Sequence, residues 1–271
     1  KDLFLGLNSF VFWDDNPIER EKVRAQLKDI EVIEPSKDIS DWPKQLLEFK
    51  GFSKFIITKE DKVKTKQYKN REKFIEAKHS SKNEINYLKS IKIKPKIIKI
   101  NKSTLNRTLQ LCQKTNQFNL RTKIYSMKDI NKLNKKNICF LVHLKDNYGD
   151  HGIISFICLK IIEKKFLFID TFLMSCRILG RHLESWILNE IKKLAIKNKL
   201  NFIIAEYIPT KRNQVAKDFI LKSCFEKVSK EKVNNYNIFF KKLMKENSNS
   251  EFYTLTKNSK IPNLEIYEKS K

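Results

Sequence analysis

Apolar residues fall into short runs along this chain. Ser9 to Trp13 is almost continuously apolar and is closed by Asp14-Asp15-Asn16-Pro17; from Ile18 to Leu27 the apolar positions then take helical spacing. That pattern predicts a buried parallel strand, a polar turn, and a helix with Pro17 in its first turn and Glu19 and Glu21 near its positive end. Ile30-Glu31-Val32-Ile33, stopped by Pro35, predicts a second short strand. From 38 to 90 the chain is highly charged, with helical spacing at Trp42, Leu46, Leu47 and Phe49 and again at Phe74, Ile75 and Ala77. Between Ile91 and Ile100, Ile alternates with Lys around Pro95, the signature of an exposed edge strand or extended linker, and a domain boundary is placed there.

The pattern changes after residue 100. A helix over Ser103–Lys114 leads to three strand-like runs, Ile138–Leu144, Ile153–Ile162 and Phe166–Leu173. Leu183, Trp186, Ile187, Ile191, Leu194 and Ala195 share one face of a long helix. A strand (Phe202–Tyr207), a helix (Gln214–Ser223) and a strand pair around Phe225–Val228 and Tyr236–Phe240 complete an α/β arrangement, a mixed sheet with flanking helices. The divisions read from the sequence are 1–37, a helical connector 38–100, a sheet domain 101–245 and a frayed polar tail 246–271.

Composition narrows the functional classes. A 41% hydrophobic content with 11% aromatics excludes a wholly disordered chain, and 5 Gly and 6 Pro in 271 residues exclude collagen-like and linker-like architectures. The net charge of +25 suggests nucleic acid at first, but 48 of the 56 cations are Lys. Base and phosphate readers favour the Arg fork, so a solvated Lys-rich surface outranks nucleic-acid binding. The five cysteines are far apart, with no C-x-x-C pair, which points to neither zinc nor a disulfide framework and to a reduced, cytoplasmic compartment. Apolar runs such as Ile153–Leu159 stop well short of the ~20 residues a bilayer requires, so no membrane insertion is expected. The chain starts at Lys1 with no targeting segment before the first strand, and reads as the later part of a longer protein.

Two places carry candidate chemistry. Asp14 and Asp15 sit at the carboxyl end of a predicted buried strand, where a pair of carboxylates would hold Mg²⁺, or alternatively would terminate the strand and cap the next helix. Ser175-Cys176-Arg177 runs into a turn with Gly180 and Arg181 at the start of the long helix, where backbone amides and two guanidinium groups make an anion cradle. Cys176 there is placed to have a lowered thiol pKa, while Cys112, Cys139, Cys158 and Cys224 read as small hydrophobes. His151 in the turn DNYGDHG is the best-placed general base by chain position. Asn116, Gln117 and Asn119 crowd around Phe118, either pinning a loop or binding substrate, and Asn213 lies where it would cap a helix or bind phosphate.

The run FVFWDDNPIEREKVRAQL (10–27) resembles the closing motif of the haloacid dehalogenase (HAD) superfamily, in the form found in FkbH-like proteins. The resemblance implies that Asp14 and Asp15 ligate Mg²⁺; no upstream D-x-D-x-T nucleophile motif is present in this chain. Arg177, Gly180 and the helix start resemble the R-x-x-G-x-G/A pyrophosphate loop of GCN5-related N-acetyltransferases (GNAT), with His182 in place of the final small residue. KTNQFNLRT, DNYGDHGIIS, IDTFLMSCRILGR and YIPTKRNQVAKDF are similar, in order, to the motifs of FkbH-like proteins, in which a HAD-type phosphatase domain is joined to a GNAT-like acyltransferase domain. What this resemblance implies is transfer of a glyceryl-type acyl group from a phosphorylated small-molecule donor, through a thioester on Cys176, to the phosphopantetheine of an acyl carrier protein. Asn116, Gln117, Asn119, Arg177, Gly180, Arg181 and Asn213 would bind substrate or phosphate. The alternatives are a CoA-dependent N-acyltransferase that needs no thiol and a non-catalytic basic binding module.

Overall fold

The computed structural model describes residues 7–52, 64–229, 231–233 and 238–267. The chain divides into two compact units, Lys1–Lys62 and Val63–Lys271.

In the first unit, β1 (Val11–Trp13) and β2 (Glu31–Ile33) pair in parallel, Val11 beside Glu31 and Trp13 beside Ile33, around helix α1 (Pro17–Gln26). Asn16 caps α1 by accepting the Ile18 N–H, and Pro17 occupies the first turn, where its missing N–H costs nothing. A short helix α2 (Trp42–Glu48) brings Trp42 edge-on to Trp13, ring centroids 6.0 Å apart. None of the described residues 7–52 is fully buried.

The second unit begins with α3 (Lys64–His79) and α4 (Glu84–Ser90), then β3 (Lys94–Ile98), α5 (Lys102–Lys114), the two-residue β4 (Phe118–Asn119) and α6 (Met127–Lys136). β5 (Ile138–Asp146), β6 (Gly149–Ile162) and β7 (Phe166–Met174) follow, then α7 (Leu183–Lys197), β8 (Phe202–Tyr207), α8 (Gln214–Lys222), β9 (Glu226–Val228), α9 (Ile238–Glu246) and β10 (Glu251–Thr256). Among the described residues they form an eight-stranded sheet, ordered β3-β5-β6-β7-β8-β10-β9 with β4 beside β7. Every pairing is antiparallel except β7 with β8. The fold class is α/β, a mixed sheet with helices on both faces. One face packs Leu88, Leu183, Ile187, Ile191 and Phe219 against Leu167 and Ile169. The other carries α5 and α6 over Leu141 and Phe156, and Phe240 and Leu243 over Phe166 and Phe168.

Between Ile91 and Ile100 the edge-strand alternative holds: β3, Lys94–Ile98, pairs with Lys145–Leu141, and Pro95 stands in an edge strand of the sheet. Two other segments differ from the sequence reading. The strand expected at Tyr236–Phe240 falls partly outside the described residues; from Ile238 the chain is helical, because Phe240 and Leu243 face the sheet together at helical spacing. The partner of β9 is β10, in the stretch read as a polar tail: Phe252, Tyr253 and Leu255 are buried between β8 and β9, a period-2 signal too short to stand out among charged neighbours.

Candidate functional site

β7 and β8 stay paired only from Phe166/Phe202 to Ile169/Ala205. Beyond that point they part. Cys158 pairs with Thr171 and Leu159 with Ile169, so Asp170 is the extra residue of a β-bulge, which bends β7 away. The place β8 leaves open is filled by the chain itself. Phe118 and Asn119 pair with Met174 and Leu173, the Leu120 N–H donates to Phe172 O at 3.3 Å, and Ile208 N–H donates to Leu120 O at 2.9 Å. The carboxyl end of a parallel pair is where open α/β sheets take ligands, and Cys176 follows β7 at that end in a 3-10 turn, Cys176–Ile178.

Cys176 is half-buried. Burial pushes its thiol up, against the opposing pull of Arg71, the Gln117 main-chain N–H and Arg177. The lowered thiol pKa expected from a strand end and helix start is therefore corrected: loss of water outweighs the cations. Cys112, by contrast, has no cation acting on it and is pushed up to about 12 by burial.

The wall over this turn is α3. Arg71 donates to the Cys176 carbonyl, Asn70 to Tyr148 O, Gln67 to Asp150 O at 3.5 Å and Lys78 to Gly180 O at 3.2 Å. These residues lie on one face of the helix, three and four apart, with Phe74 between them. Burial holds the Arg71 guanidinium down to about 10. Tyr68, on the same helix, is also pushed up by burial in the field of Arg177 and Cys176. Sequence reading missed α3 as part of a site because its inward face is polar.

Beside the turn, Asp146 Oδ1 lies 2.8 Å from His151 Nε2 and Asp146 Oδ2 accepts from Arg181 Nε at 2.7 Å. Burial would raise the Asp146 carboxyl, but the His151 hydrogen bond and the Arg181 charge outweigh it and hold it below its usual range. Arg181 is wholly buried, stacks over the Phe74 ring at 3.9 Å, and has no hydrogen-bond partner on Nη1 or Nη2. Those orphaned donors fit an anionic group. His151, expected as a base for Cys176, has its Nε2 engaged by Asp146, which sequence reading took for a turn former only.

Helix α7 starts at the Gly180 turn. Gly180 has φ +89°, and a Cβ there would meet Lys78 Nζ at 3.4 Å and Phe74 at 3.6 Å. His182, where the resemblance leads one to expect glycine, is held at φ +53° by Glu84 (2.8 Å from Nε2) and Asn263 (3.2 Å from Nδ1). Its side chain gives no bond to the first amides of α7. A cleft of about 260 Å³ runs between the first turn of α7 and α8, floored by Phe118, Leu179 and Phe219 and edged by Pro262 and Asn263. Its titratable side chains are His182, Glu184, Asp218 and Lys222; burial pushes the Glu184 carboxyl up.

The other expected residues divide. Asn119 spends its side chain on its own loop, accepting from Arg121 and Thr122 N–H and donating to Thr115 O, and Asn213 is saturated by Tyr207, Thr210, Asn119 and Ile208. Both are corrected from substrate binding to pinning the segment that fills the fork. Asn116 is exposed and Gln117 half-buried. In the first unit, Asp14 Oδ1 accepts the Asn16 N–H at 2.9 Å, and Arg20 donates to both the Asp14 and Asp15 carbonyls. Among the described residues no three His, Cys, Asp or Glu side chains gather as a metal site. No helix among the described residues is long and apolar enough to cross a membrane.

No protein-family profile matches the sequence, and no curated protein matches it. Solved structures of similar fold include N-acetylglutamate synthase from Neisseria gonorrhoeae complexed with coenzyme A and N-acetyl-glutamate (12% identity, 60% of this chain and 35% of the synthase, TM-score 0.46). A GNAT-family acetyltransferase from Staphylococcus aureus Mu50 (11%, 61% and 100%, 0.45) and an acetyltransferase from Streptococcus agalactiae (16%, 60% and 98%, 0.44) are similar to the same extent. The chain spans about a third of the length of the synthase.

Proposed function

We propose that the second unit is an acyltransferase, with Cys176 as the sulphur on which the acyl group rests between donor and acceptor. The observation that carries this reading is the placement of Cys176: half-buried, at the carboxyl end of the parallel pair, with Arg71, Arg177 and the Gln117 amide acting on its sulphur. In the FkbH-like form of the reading, the thiolate attacks the acyl carbon of a phosphorylated donor. The acyl–oxygen bond breaks, phosphate leaves toward Arg177, Arg181 and the start of α7, and the thiol proton passes to solvent. The phosphopantetheine thiol of an acyl carrier protein then attacks the thioester and frees Cys176. The orphaned Nη atoms of Arg181 support the anion-holding role. Asp146 would orient His151 as the base for the incoming thiol. The acid pair in the first unit enters no step.

A second reading is favoured by the upward push on the Cys176 thiol: direct transfer from CoA lying in the cleft between α7 and α8, without an acyl-enzyme. Intact-protein mass spectrometry after mixing with 1,3-bisphosphoglycerate, and separately with acetyl-CoA, separates the two. An adduct of the acyl mass that maps to Cys176 and is lost in Cys176→Ala supports the first reading. Acyl transfer undiminished in Cys176→Ala supports the second.

A further inference from the structure

The fork between β7 and β8 holds a buried charge cluster that the acyl-transfer reading does not use. Asp170, the bulged residue, and Glu206, one step past the last paired residue of β8, stand at the point of divergence, 2% and 1% exposed. Arg121 lies between them and pairs with both: its Nη1 donates to Asp170 Oδ1 at 2.6 Å, and its Nε lies 2.6 Å from Glu206 Oε2 as a charge contact outside hydrogen-bond geometry. The Asp170 carbonyl takes a further bond from Arg121 Nη1 at 3.1 Å, Lys160 reaches Asp170 Oδ1 at 2.8 Å, and Ser250 satisfies Glu206 Oε1 at 2.6 Å.

Arg121 belongs to the segment that fills the fork. One residue before it, Leu120 bonds to both diverging strands; two and three before it, Asn119 and Phe118 pair with β7. Gln117, next in line, falls opposite Ser175 by the antiparallel register of Phe118 with Met174, beside Cys176, and its main-chain N–H pulls the thiol down against burial. A rigid two-residue strand therefore connects the guanidinium at the crotch of the fork to the amide at the thiol. Planar, two-sided engagement of two carboxylates is a task for which Lys, a point charge on a flexible stem, is a poor substitute.

We propose that Arg121 is a positioning residue for Cys176: by bridging Asp170 and Glu206 it locks residues 117–120 in the fork and holds the Gln117 amide against the sulphur. The idea rests on the assignment of Cys176 only for its functional meaning, because its test reads the thiol and not acyl transfer. The rate of iodoacetamide alkylation at Cys176 is followed from pH 6 to 10, resolved from the other cysteines by peptide mass spectrometry. In Arg121→Lys, which keeps a buried cation, the midpoint moves to higher pH and alkylation at pH 8 slows by about three- to tenfold, the loss of one hydrogen bond to the thiolate. Glu206→Gln, which removes one arm but keeps an acceptor for Ser250, shifts the midpoint the same way by less. A change that were only structural would lower the unfolding midpoint in urea and leave the alkylation midpoint in place. An unmoved or lowered alkylation midpoint in either folded variant overturns the proposal, whatever the outcome of the acyl-adduct experiment.

Discussion

Arg181 Nε donates to Asp146 Oδ2 at 2.7 Å, and neither side chain is exposed to solvent. The same carboxylate takes the Tyr148 N–H at 2.8 Å and His151 Nε2 at 2.8 Å, so one buried acid orders a turn, a histidine and an arginine at once. Removing one member of a buried pair leaves the other charge uncompensated, which costs about 3–5 kcal/mol. Asp146→Asn is expected to lose stability of that order in urea unfolding. A loss under about 1 kcal/mol, the range of exposed pairs, would show that the cluster is already hydrated.

Acid should unfold this unit through the same groups. Asp146 and Asp170 are both held below the usual carboxylate range: burial pushes each up, but His151 with Arg181, and Arg121 with Lys160, pull them down further. A depressed folded-state pKa contributes stability that is full above the unfolded value of about 4 and is lost as pH falls through the folded value. Stability in urea is expected to fall steeply below about pH 4, and less steeply in Asp170→Asn, which no longer has that proton to take up. Parallel acid limbs for wild type and variant would contradict this assignment.

Phe74 fastens α3 over the site. It is 1% exposed, lies 5.7 Å from the Tyr148 ring and 5.9 Å from the Tyr87 ring, and carries the Arg181 guanidinium on its face. Phe74→Ala is expected to cost about 3–5 kcal/mol and to raise the rate of Cys176 alkylation, because the other α3 contacts to this turn are single side-chain bonds to carbonyls. Alkylation unchanged in a folded Phe74→Ala protein would mean that α3 does not shield the thiol.

The last strand in sequence is an inner strand in space. β10 joins β8 to β9, and past it Tyr267 donates to the Arg181 carbonyl at 2.7 Å. A chain ended after Glu246 is expected to lose the cooperative unfolding transition, measured by far-UV circular dichroism on heating. Retention of a native-like transition would show that the sheet does not need β10.

Much of the second unit was legible because its signals are apolar. β5 to β8 and α7 are hydrophobic runs or stripes, and their order alone implied a mixed sheet. What stayed hidden depends on polar groups that meet only after folding. The inward face of α3 is Gln67, Asn70, Arg71 and Lys78, which hydrophobic periodicity reads as solvated. The fork could not be seen because Arg121, Asp170 and Glu206 each look like an ordinary charge in the sequence, and only a bulge and a parallel crossover bring them together. The Asn119 and Asn213 amides looked like ligand groups because side-chain amides serve both tasks; the structure spends them on the loop.

The central claim, that Cys176 carries the acyl group, is tested most directly by peptide mass spectrometry of the full chain quenched in acid after mixing with 1,3-bisphosphoglycerate. A 3-phosphoglyceryl-mass thioester is expected on the Cys176 peptide, released by hydroxylamine and absent from Cys176→Ala. A transferring protein with no adduct on that peptide, or with an adduct that persists in Cys176→Ala, would contradict it.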